Sequence, residues 1–280
     1  MIAVVYSGSR TAFWKLTQNG VVVAHCNTTG INPCFVDPKT ILQILNKKVV
    51  LVNNAESIKK IYFFAAGASS PDRKEELAKT LSSFFRYSKV VVENDLFGAA
   101  KAACFDQSGI VAMLGSGANC AYFDGKKPLD NNFGMGYILG DEGSANYLGK
   151  MLLKSFLNKK LPKELETKFS RTYVLERSQI FERIYNKPQA NIFLSSFFDF
   201  FIQNKKHGHI IRMVDEGFEK HFQTYILPMV EKYPNEDLHF VGTIAAEFED
   251  RLRHTAEKYD LTIKSITKEP ILNLLKHYIN

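Results

Sequence analysis

The fold of this chain is first indicated by Gly115-Ser116-Gly117-Ala118-Asn119, which directly follows an apolar run at 109–114. The same pattern occurs near the start of the chain, where Ser7-Gly8-Ser9 follows an apolar run at 2–6. Glycine and serine in turns leave backbone N–H groups open to an anion, because no bulky side chain blocks the approach. A single turn of this kind is common in ordinary loops. Two of them predict two halves that grip one phosphorylated ligand.

Composition predicts an ordinary globular protein. The chain has 280 residues, of which 45% are hydrophobic and 23% are charged, enough for one large or two modest domains. No apolar run approaches the roughly eighteen residues of a membrane span, and the apolar run at 2–6 is only as long as a strand. We therefore expect a cytoplasmic protein without a membrane partner.

Charge and cysteine content indicate which kinds of ligand the chain can bind. The net charge is +7, but the 36 Lys and Arg residues are spread among 29 acidic residues without long basic blocks, so nucleic-acid binding is not predicted. A basic surface still favours small anionic ligands. Cys26, Cys34, Cys104 and Cys120 form no CxxC pair and have no neighbouring His ligand pattern, so free thiols and no metal site are expected.

Apolar periodicity predicts an α/β protein with a repeated element order. Strands are expected at 2–6, 11–16, 21–26, 61–65 and 90–93, and helices at 37–47, 71–87 and 95–104. The order then begins again, with strands at 109–114, 118–123, 238–241 and 261–265 and a helix at 244–258. The chain is therefore predicted to be a diverged internal duplication, with domains at 1–107 and 108–280 and a helical insertion at about 143–235.

Several further segments occur together with the two Gly/Ser turns: Thr29-Gly30-Ile31-Asn32-Pro33, Asn94-Asp95, Gly136-Tyr137-Ile138-Leu139-Gly140-Asp141-Glu142-Gly143-Ser144 and Gly242-Thr243-Ile244-Ala245. In order and spacing the set resembles the N-acetylglucosamine kinase and BadF-type ATPase family. That family belongs to the superfamily of actin, hexokinase and the large heat-shock chaperones. The resemblance spans essentially the whole chain, and 136–144 is its most specific part.

The resemblance implies two ribonuclease-H-like domains, of the actin-like ATPase type, around a central cleft. The helical insertion would lie in the second domain, and a final helix at 270–278 would return to the domain junction. ATP with Mg²⁺ and an amino sugar would bind face to face, and the reaction would be phosphoryl transfer to a sugar hydroxyl.

The resemblance also implies roles for individual residues. Asp95 would be the base that takes the proton from the sugar hydroxyl. The ATP-binding residues would be Ser7, Gly8, Ser9, Arg10, Gly115, Ser116, Gly117, Gly242, Thr243 and Ala245. The sugar would be held by Asn32, Asn119 and Asp141.

Residue chemistry supports these roles but leaves alternatives open. Asp95 is expected where a strand ends and a helix begins, which is where open α/β sheets place ligand-contacting groups, but it could equally be the N-cap of its helix. Asn32 and Asn119 can donate and accept hydrogen bonds, as a sugar requires, but an asparagine before a proline also suits a turn that bonds its own backbone. Asp141 could simply begin a helix.

One departure from the family pattern concerns the first strand, where Tyr6 stands in place of the usual aspartate that organises magnesium through water. A phenol with a pKa of about 10 is neutral at pH 7 and is a poor ligand for a hard cation. The metal could be placed by the ATP phosphates with Asp95 and water. Alternatively, Arg10 could supply part of the missing charge, or turnover could be weak.

Three functional classes follow from these observations. The first is an ATP-dependent kinase of an amino sugar, such as N-acetylglucosamine or N-acetylmuramic acid. The second is a catalytically weak relative that senses sugar or nucleotide, which Tyr6 favours. The third is an ATPase activator of the benzoyl-CoA-reductase type, which the scattered cysteines disfavour. The sequence does not identify the sugar or the hydroxyl that is phosphorylated. It also leaves open whether the chain forms a homodimer, because the aromatic run at 193–201 could be either core or interface.

Overall fold

The computed structural model describes residues 1–129 and 133–278. These residues form two compact units. Unit 1 consists of Met1–Val111, Phe123–Leu129 and the segment from Glu269 onward. Unit 2 consists of Ala112–Tyr122 and the remaining described residues up to Lys268. The two domains predicted from the sequence, 1–107 and 108–280, stay a prediction.

Ten strands and fifteen α-helices are present in the described residues. The strands are β1 (Ile2–Ser7), β2 (Thr11–Gln18), β3 (Val21–Thr29), β4 (Lys60–Ala65), β5 (Lys89–Asn94), β6 (Ser108–Leu114), β7 (Ala118–Asp124), β8 (Pro128–Leu129), β9 (Leu238–Val241) and β10 (Ile263–Thr267). The helices are α1 (Pro38–Asn46), α2 (Val49–Asn54), α3 (Pro71–Phe84), α4 (Asp95–Cys104), α5 (Gly136–Leu139), α6 (Ala145–Leu157), α7 (Lys163–Thr172), α8 (Arg177–Phe181), α9 (Ala190–Ser196), α10 (Phe198–Gln203), α11 (Gly208–His221), α12 (Leu227–Lys232), α13 (Thr243–Glu247), α14 (Glu249–Glu257) and α15 (Ile271–Tyr278). Two further segments, Glu182–Asn186 and Phe222–Ile226, are π-helical.

The first sheet has the strand order β3-β2-β1-β4-β5. β2 is antiparallel to both of its neighbours, whereas β1, β4 and β5 run parallel. Ser7 is aligned with Ala65, and Ala65 with Asn94. The carboxyl ends of the three parallel strands therefore meet at one edge of the sheet, and that edge is where ligands bind in open α/β sheets.

The second sheet has the order β10-β9-β6-β7-β8. Read from its other end, this order is the same as that of the first sheet, with β6 in the place of β1 and β9 in the place of β4. The predicted repetition of sheet topology is therefore confirmed. Helices α5 to α12 lie between β8 and β9, and α6 to α12 fall within the predicted helical insertion.

Alternation along β1 divides the core of unit 1 between the two faces of its sheet. Ala3 and Val5 belong to a cluster with Trp14 and Phe63. Val4 and Tyr6, on the opposite face, belong to a second cluster whose other members include Phe64, Ala102, Ile271 and Leu274. Helix α15 thus closes the second face of the first sheet.

The structure differs from the sequence predictions where packing decides the local conformation. The Val-rich segment 49–54, for which no element is predicted, forms α2 and buries Leu51. The predicted helix 244–258 is interrupted at Phe248, which is almost fully buried and packs edge-on against Phe198. The predicted helix 71–87 ends at Phe84. His207, expected in a loop, caps the start of α11 with its side chain.

The aromatic run at 193–201 is core of unit 2. Its aromatic side chains are Phe193, Phe197, Phe198, Phe200 and Phe201, and all of them are buried. The run therefore supplies no surface for a dimer. No described helix has the length and apolar character that a membrane crossing requires.

Candidate functional site

Asp95 lies at the edge of the first sheet where the parallel strands end. It is the first residue of α4, and it directly follows β5. The N-cap of this helix is Asn94, whose Oδ1 accepts a hydrogen bond of 2.7 Å from the N–H of Phe97. The alternative role of Asp95 as N-cap is therefore wrong. Its Oδ1 accepts the N–H of Leu96 at 3.0 Å.

The charge state of Asp95 is set by its surroundings. The side chain is half-buried, and burial raises its pKa to about 6, while hydrogen bonds from the backbone act in the opposite direction. The carboxylate is therefore mostly ionised at pH 7 but is a stronger base than an ordinary aspartate. A base with a pKa near the working pH is well suited to accept a proton during a reaction.

Tyr6 belongs to the packing of unit 1. Its side chain is only 9% exposed and lies in the cluster with Phe64 and Leu274. Burial, with a smaller contribution from the negative charge of Asp95, holds the pKa of the phenol well above its usual value. Tyr6 is thus neutral at pH 7, in agreement with the expectation that it is a poor ligand for a hard cation.

The turn between β1 and β2 is held against the segment that follows β3. The N–H of Gly8 donates to the carbonyl of Thr11, and the N–H of Gly30 donates to the carbonyl of Arg10, both at 3.0 Å. A Cβ atom on Gly30 would lie 2.3 Å from the carbonyl oxygen of Gly8. Only glycine at position 30 permits this approach.

The Ser7 hydroxyl has a structural role that the sequence did not indicate. Ser7 is fully buried; its Oγ accepts the N–H of Ile31 at 2.8 Å and donates to the carbonyl of Ile31 at 3.0 Å. The hydroxyl therefore positions the segment that carries Asn32. The Ser7 side chain is thus engaged within the protein, while the predicted binding of ATP by Ser7, Gly8, Ser9 and the exposed Arg10 stays a prediction.

Asn32 is buried beside the loop that follows β4. Its Oδ1 accepts the N–H of Cys34 at 2.9 Å, so the turn asparagine foreseen as an alternative is present. A Cβ atom on Gly67 would lie 2.0 Å from Oδ1, and Gly67 has a φ of +80° that favours glycine. The amide nitrogen of Asn32 is the group through which its predicted sugar contact would be made.

In unit 2, the turn at 115–117 directs its carbonyls to helix α6. The carbonyl of Gly115 accepts the N–H of Ala145 at 2.9 Å, and that of Ser116 accepts the N–H of Asn146 at 3.0 Å. The N–H of Gly115 donates to the carbonyl of Gly117. Within the described ranges the N–H groups of Ser116 and Gly117 have no protein acceptor, and two adjacent donors of this kind suit a phosphate.

Asp141 holds this turn in place through its carboxylate. It is 5% exposed, its Oδ1 accepts the N–H of Ala118 at 3.0 Å, and its Oδ2 accepts the side-chain amide of Asn146 at 2.9 Å. A Cβ atom on Gly117 would lie 2.9 Å from Oδ1. Burial raises the pKa of Asp141, and these hydrogen bonds oppose that effect.

The alternative that Asp141 simply begins a helix is wrong. Helix α6 starts four residues later, and its N-cap is Ser144, whose Oγ accepts the N–H of Tyr147. Asp141 itself has a φ of +64°, in the left-handed region that costs free energy for residues other than glycine. Its predicted contact with the sugar stays a prediction.

The turn after β9 packs against the turn at 115–117 of the same unit. Gly242 has a φ of +135°, and a Cβ atom there would lie 2.3 Å from the carbonyl oxygen of Leu114 and 3.1 Å from the nitrogen of Gly115. Thr243 is exposed, whereas Ala245 is fully buried. The prediction that Ala245 lines the adenosine is therefore corrected, because its methyl group faces the protein interior.

Asn119 is half-buried at the start of β7. Its Oδ1 accepts the N–H of Cys120 at 2.9 Å, and a Cβ atom on Gly134 would lie 3.1 Å from its amide nitrogen. As in Asn32, the side-chain oxygen of Asn119 accepts a hydrogen bond from the backbone. The contact of Asn119 with a sugar stays a prediction.

The predicted residues are divided between the two units. Tyr6, Asp95, Asn32 and the turn at 8–10 lie in unit 1, and Asp141, Asn119 and the turns at 115–117 and 242–243 lie in unit 2. Within the described part of the chain, Cys26, Cys34, Cys104 and Cys120 form no disulfide. In residues 1–129 and 133–278, no three His, Cys, Asp or Glu side chains form a group that could hold a metal ion.

Sequence reasoning missed Asn146 and Tyr225, which bond Asp141. The hydroxyl of Tyr225 accepts the N–H of Asp141, although the two residues are 84 positions apart. Tyr225 lies in the π-helical segment Phe222–Ile226, within the insertion, and no motif surrounds it. Only the tertiary structure could identify it.

Comparison with known proteins identifies relatives along the whole chain. The sequence matches no protein-family model. A structure from Porphyromonas gingivalis, assigned as an N-acetylglucosamine kinase, is 32% identical, with a TM-score of 0.91 over 100% of this chain and 99% of that chain. A Chromobacterium violaceum protein with the same assignment has 12% identity and a TM-score of 0.69, over 98% and 97% of the two chains.

A third similar structure is a ROK-family glucokinase from Streptomyces griseus, solved with glucose and AMPPNP. It is 14% identical to this chain, with a TM-score of 0.63 over 98% of this chain and 96% of that chain. At such low identity the likeness is one of fold alone. The fold is that of the two-domain, actin-like sugar kinases, as the sequence predicts.

Proposed function

Because this chain belongs to the N-acetylglucosamine kinase family, we propose that it is an ATP-dependent kinase that phosphorylates a hydroxyl group of an amino sugar. The sugar is of the N-acetylglucosamine or N-acetylmuramic acid type. The observation that carries the proposal is Asp95, a carboxylate with a pKa of about 6 at the edge where β1, β4 and β5 end. The proposed activity implies a cytoplasmic location, where ATP is available.

Phosphoryl transfer needs an aligned hydroxyl, a group that accepts its proton and donors for the charge on the phosphoryl oxygens. In unit 1, Asp95 accepts the proton. In unit 2, the N–H groups of Ser116 and Gly117 bind phosphate oxygens, and Asp141 holds the turn that carries them. Such backbone donors are fixed before the reaction, so stabilising the developing charge requires little reorganisation.

The side-chain amides of Asn32 and Asn119 serve the sugar. The described contacts of each amide use its oxygen, so its nitrogen is the donor toward a hydroxyl or the carbonyl of an N-acetyl group. Asn32 is fixed by Ser7 through Ile31 and by Gly67. Two donors held in this way favour a polar, uncharged ligand such as an N-acetylated sugar.

Magnesium fits this set of residues when it binds together with ATP. Mg²⁺ in phosphoryl-transfer enzymes usually takes one or two carboxylates, with phosphate oxygens and water as its other ligands. The ATP phosphates, with Asp95 and water, would hold the ion, since Tyr6 is neutral. The ion would neutralise phosphate charge. Arg10, exposed on the β1–β2 turn, would supply a further positive charge.

The pH dependence of the reaction is expected to follow Asp95. A base must be unprotonated, and the pKa of Asp95 is raised to about 6 by burial, so activity is lost as the pH falls through this value. We expect kcat/KM for the sugar to be level above pH 7 and to fall by about tenfold per pH unit well below pH 6. Initial rates from pH 5 to 8, with circular dichroism to verify folding, measure this. A level profile across pH 6 in folded protein would contradict the assignment.

Substitutions at Tyr6 separate packing from metal chemistry. Tyr6→Phe keeps the aromatic ring in its cluster, so we expect the melting temperature and kcat to change little. Tyr6→Asp places a carboxylate in an apolar cluster and is expected to lower the free energy of unfolding by about 3–5 kcal/mol. Thermal melts of the two variants measure the difference.

The same substitution tests the role of Arg10. If the Arg10 charge replaces that of the usual metal-organising aspartate, Tyr6→Asp leaves kcat unchanged at a temperature where the variant is folded. A large gain in kcat would instead show that the metal is poorly placed in the natural chain. Magnesium titrations at fixed ATP concentration distinguish the two results.

The proposed function is tested by an ADP-release assay with ATP, magnesium and a panel of N-acetylated sugars. We expect ADP release that depends on one of the sugars. Sugar binding without turnover, measured by calorimetry, would favour the sensor. Release of ADP without any sugar would favour an ATPase activator.

A further inference from the structure

The π-helical segment Phe222–Ile226 directs Tyr225 into the polar interior of unit 2. Tyr225 is fully buried. Its hydroxyl donates a hydrogen bond of 2.6 Å to Oε2 of Glu142 and accepts one of 3.0 Å from the N–H of Asp141. One buried hydroxyl thus binds two successive residues of the 136–144 motif. Single π turns inside helices occur frequently at functional sites.

The surroundings of the hydroxyl restrict it to this arrangement. A Cβ atom on Gly140 would lie 3.2 Å from the hydroxyl oxygen of Tyr225, so the glycine leaves space for it. His221, one turn earlier and also fully buried, lies beside the tyrosine ring with 4.8 Å between centroids. Its Nδ1 is 3.0 Å from the carbonyl oxygen of Glu142. Burial lowers the pKa of His221 to about 4, so the ring is neutral and Nδ1–H donates to this carbonyl.

The hydrogen bonds of Tyr225 restrain Asp141 in a conformation that has an intrinsic cost. The φ of Asp141 is +64°, and a non-glycine residue keeps such a conformation only where its surroundings enforce it. Its N–H would be an unpaired buried donor without the tyrosine hydroxyl, which is unfavourable. Tyr225 therefore favours the left-handed conformation of Asp141.

The conformation of Asp141 then determines the conformation of the turn at 115–117. Its carboxylate reaches the N–H of Ala118 and lies against Gly117, at distances that leave no room for a Cβ atom. Asn146 bonds the other carboxylate oxygen and, through its backbone N–H, the carbonyl of Ser116. A continuous series of contacts thus connects Tyr225 with the two N–H groups that are proposed to bind phosphate.

We propose that Tyr225 is a positioning residue for nucleotide binding, which acts through Asp141 on the turn at 115–117. The inference rests on the proposed function, which identifies the anion bound at this turn as a nucleoside triphosphate. Tyr225 touches neither substrate; it determines how well the Ser116 and Gly117 N–H groups are placed before ATP arrives.

The test uses Tyr225→Phe in the full chain, which removes only the hydroxyl. We expect the Kd of AMPPNP, measured by calorimetry, and the KM for ATP to rise by about tenfold, as the loss of a buried hydrogen bond implies. The KM for the sugar, whose predicted contacts include Asp141, is expected to rise less than the KM for ATP. Tyr122→Phe is the matched control, since the Tyr122 hydroxyl also donates to a glutamate of unit 2, Oε1 of Glu236 at 3.4 Å.

A second pair of variants keeps the inference testable if Tyr225→Phe folds poorly. Glu142→Gln retains an acceptor for the tyrosine hydroxyl, whereas Glu142→Ala removes it, so only the alanine variant should weaken AMPPNP binding strongly. A lower melting temperature with unchanged AMPPNP affinity would overturn the inference, because Tyr225 would then be merely structural. A rise confined to the sugar KM would overturn it as well.

The calorimetric measurement separates this inference from the proposed function. If the natural chain binds AMPPNP but phosphorylates no sugar, the proposed kinase activity is wrong, and a tenfold weaker Kd in Tyr225→Phe still supports the role of Tyr225. If the natural chain phosphorylates a sugar and Tyr225→Phe binds AMPPNP normally, the kinase is supported and the positioning role is overturned.

Discussion

Asp95→Asn is expected to reduce kcat for sugar-dependent ADP release by about 10²–10⁴-fold, the usual contribution of a general base. The amide has the size of the carboxylate but cannot accept the proton of the hydroxyl. Binding of AMPPNP and of the sugar, measured by calorimetry, should change much less, because the loss concerns the chemical step.

The stability of the same variant shows whether the loss is catalytic. The pKa of Asp95 is raised in the folded chain, so above pH 6 the buried negative charge opposes folding. Replacing it by a neutral amide should leave the melting temperature at pH 7 equal to or above that of the natural chain. Asp72→Asn is the matched control, since Asp72 is an exposed aspartate in the first turn of α3. Equal activity of Asp95→Asn and Asp72→Asn would refute the role of Asp95.

Gly242→Ala is expected to have the largest effect on stability and nucleotide binding together. The new Cβ atom would lie 2.3 Å from the carbonyl oxygen of Leu114, a backbone atom that cannot move without shifting β6, and the φ of +135° is unfavourable for alanine. We expect the free energy of unfolding to fall by about 3 kcal/mol or more and AMPPNP binding to be lost. Urea denaturation and calorimetry measure the two effects.

Gly115→Ala is the control for this prediction because it changes a glycine of the adjoining turn. A Cβ atom at this position would meet no atom within 4 Å. Its urea midpoint should therefore match that of the natural chain. If Gly242→Ala and Gly115→Ala unfold at the same urea concentration, the close approach of the two turns in unit 2 is not important for stability.

Local sequence patterns determined much of the fold of each sheet. The apolar run that forms β1 and the Gly/Ser turn after it depend on neighbouring residues alone, and the structure has both. The same holds for the start of α4 at Asp95. The predicted repetition of strand order is confirmed because each half carries its own strand and turn signals.

Packing across long sequence separations decided what the patterns could not. The segment 49–54 becomes helical because Leu51 can be buried, and the helix expected at 244–258 breaks where Phe248 is buried against Phe198. The roles of individual polar groups follow the same rule. The Ser7 hydroxyl has its partner 24 residues away, at Ile31.

At the candidate site, the chemical groups were evident from the sequence: the carboxylate of Asp95, the small-residue turns and the asparagines. The tertiary structure alone decided which of those groups remain available. Ala245 is buried, and Asp141 is engaged by Ala118, Asn146 and Tyr225. The physical reason is that a turn or a helix start follows from local backbone preferences, whereas burial and hydrogen-bond partners depend on segments that meet only after folding.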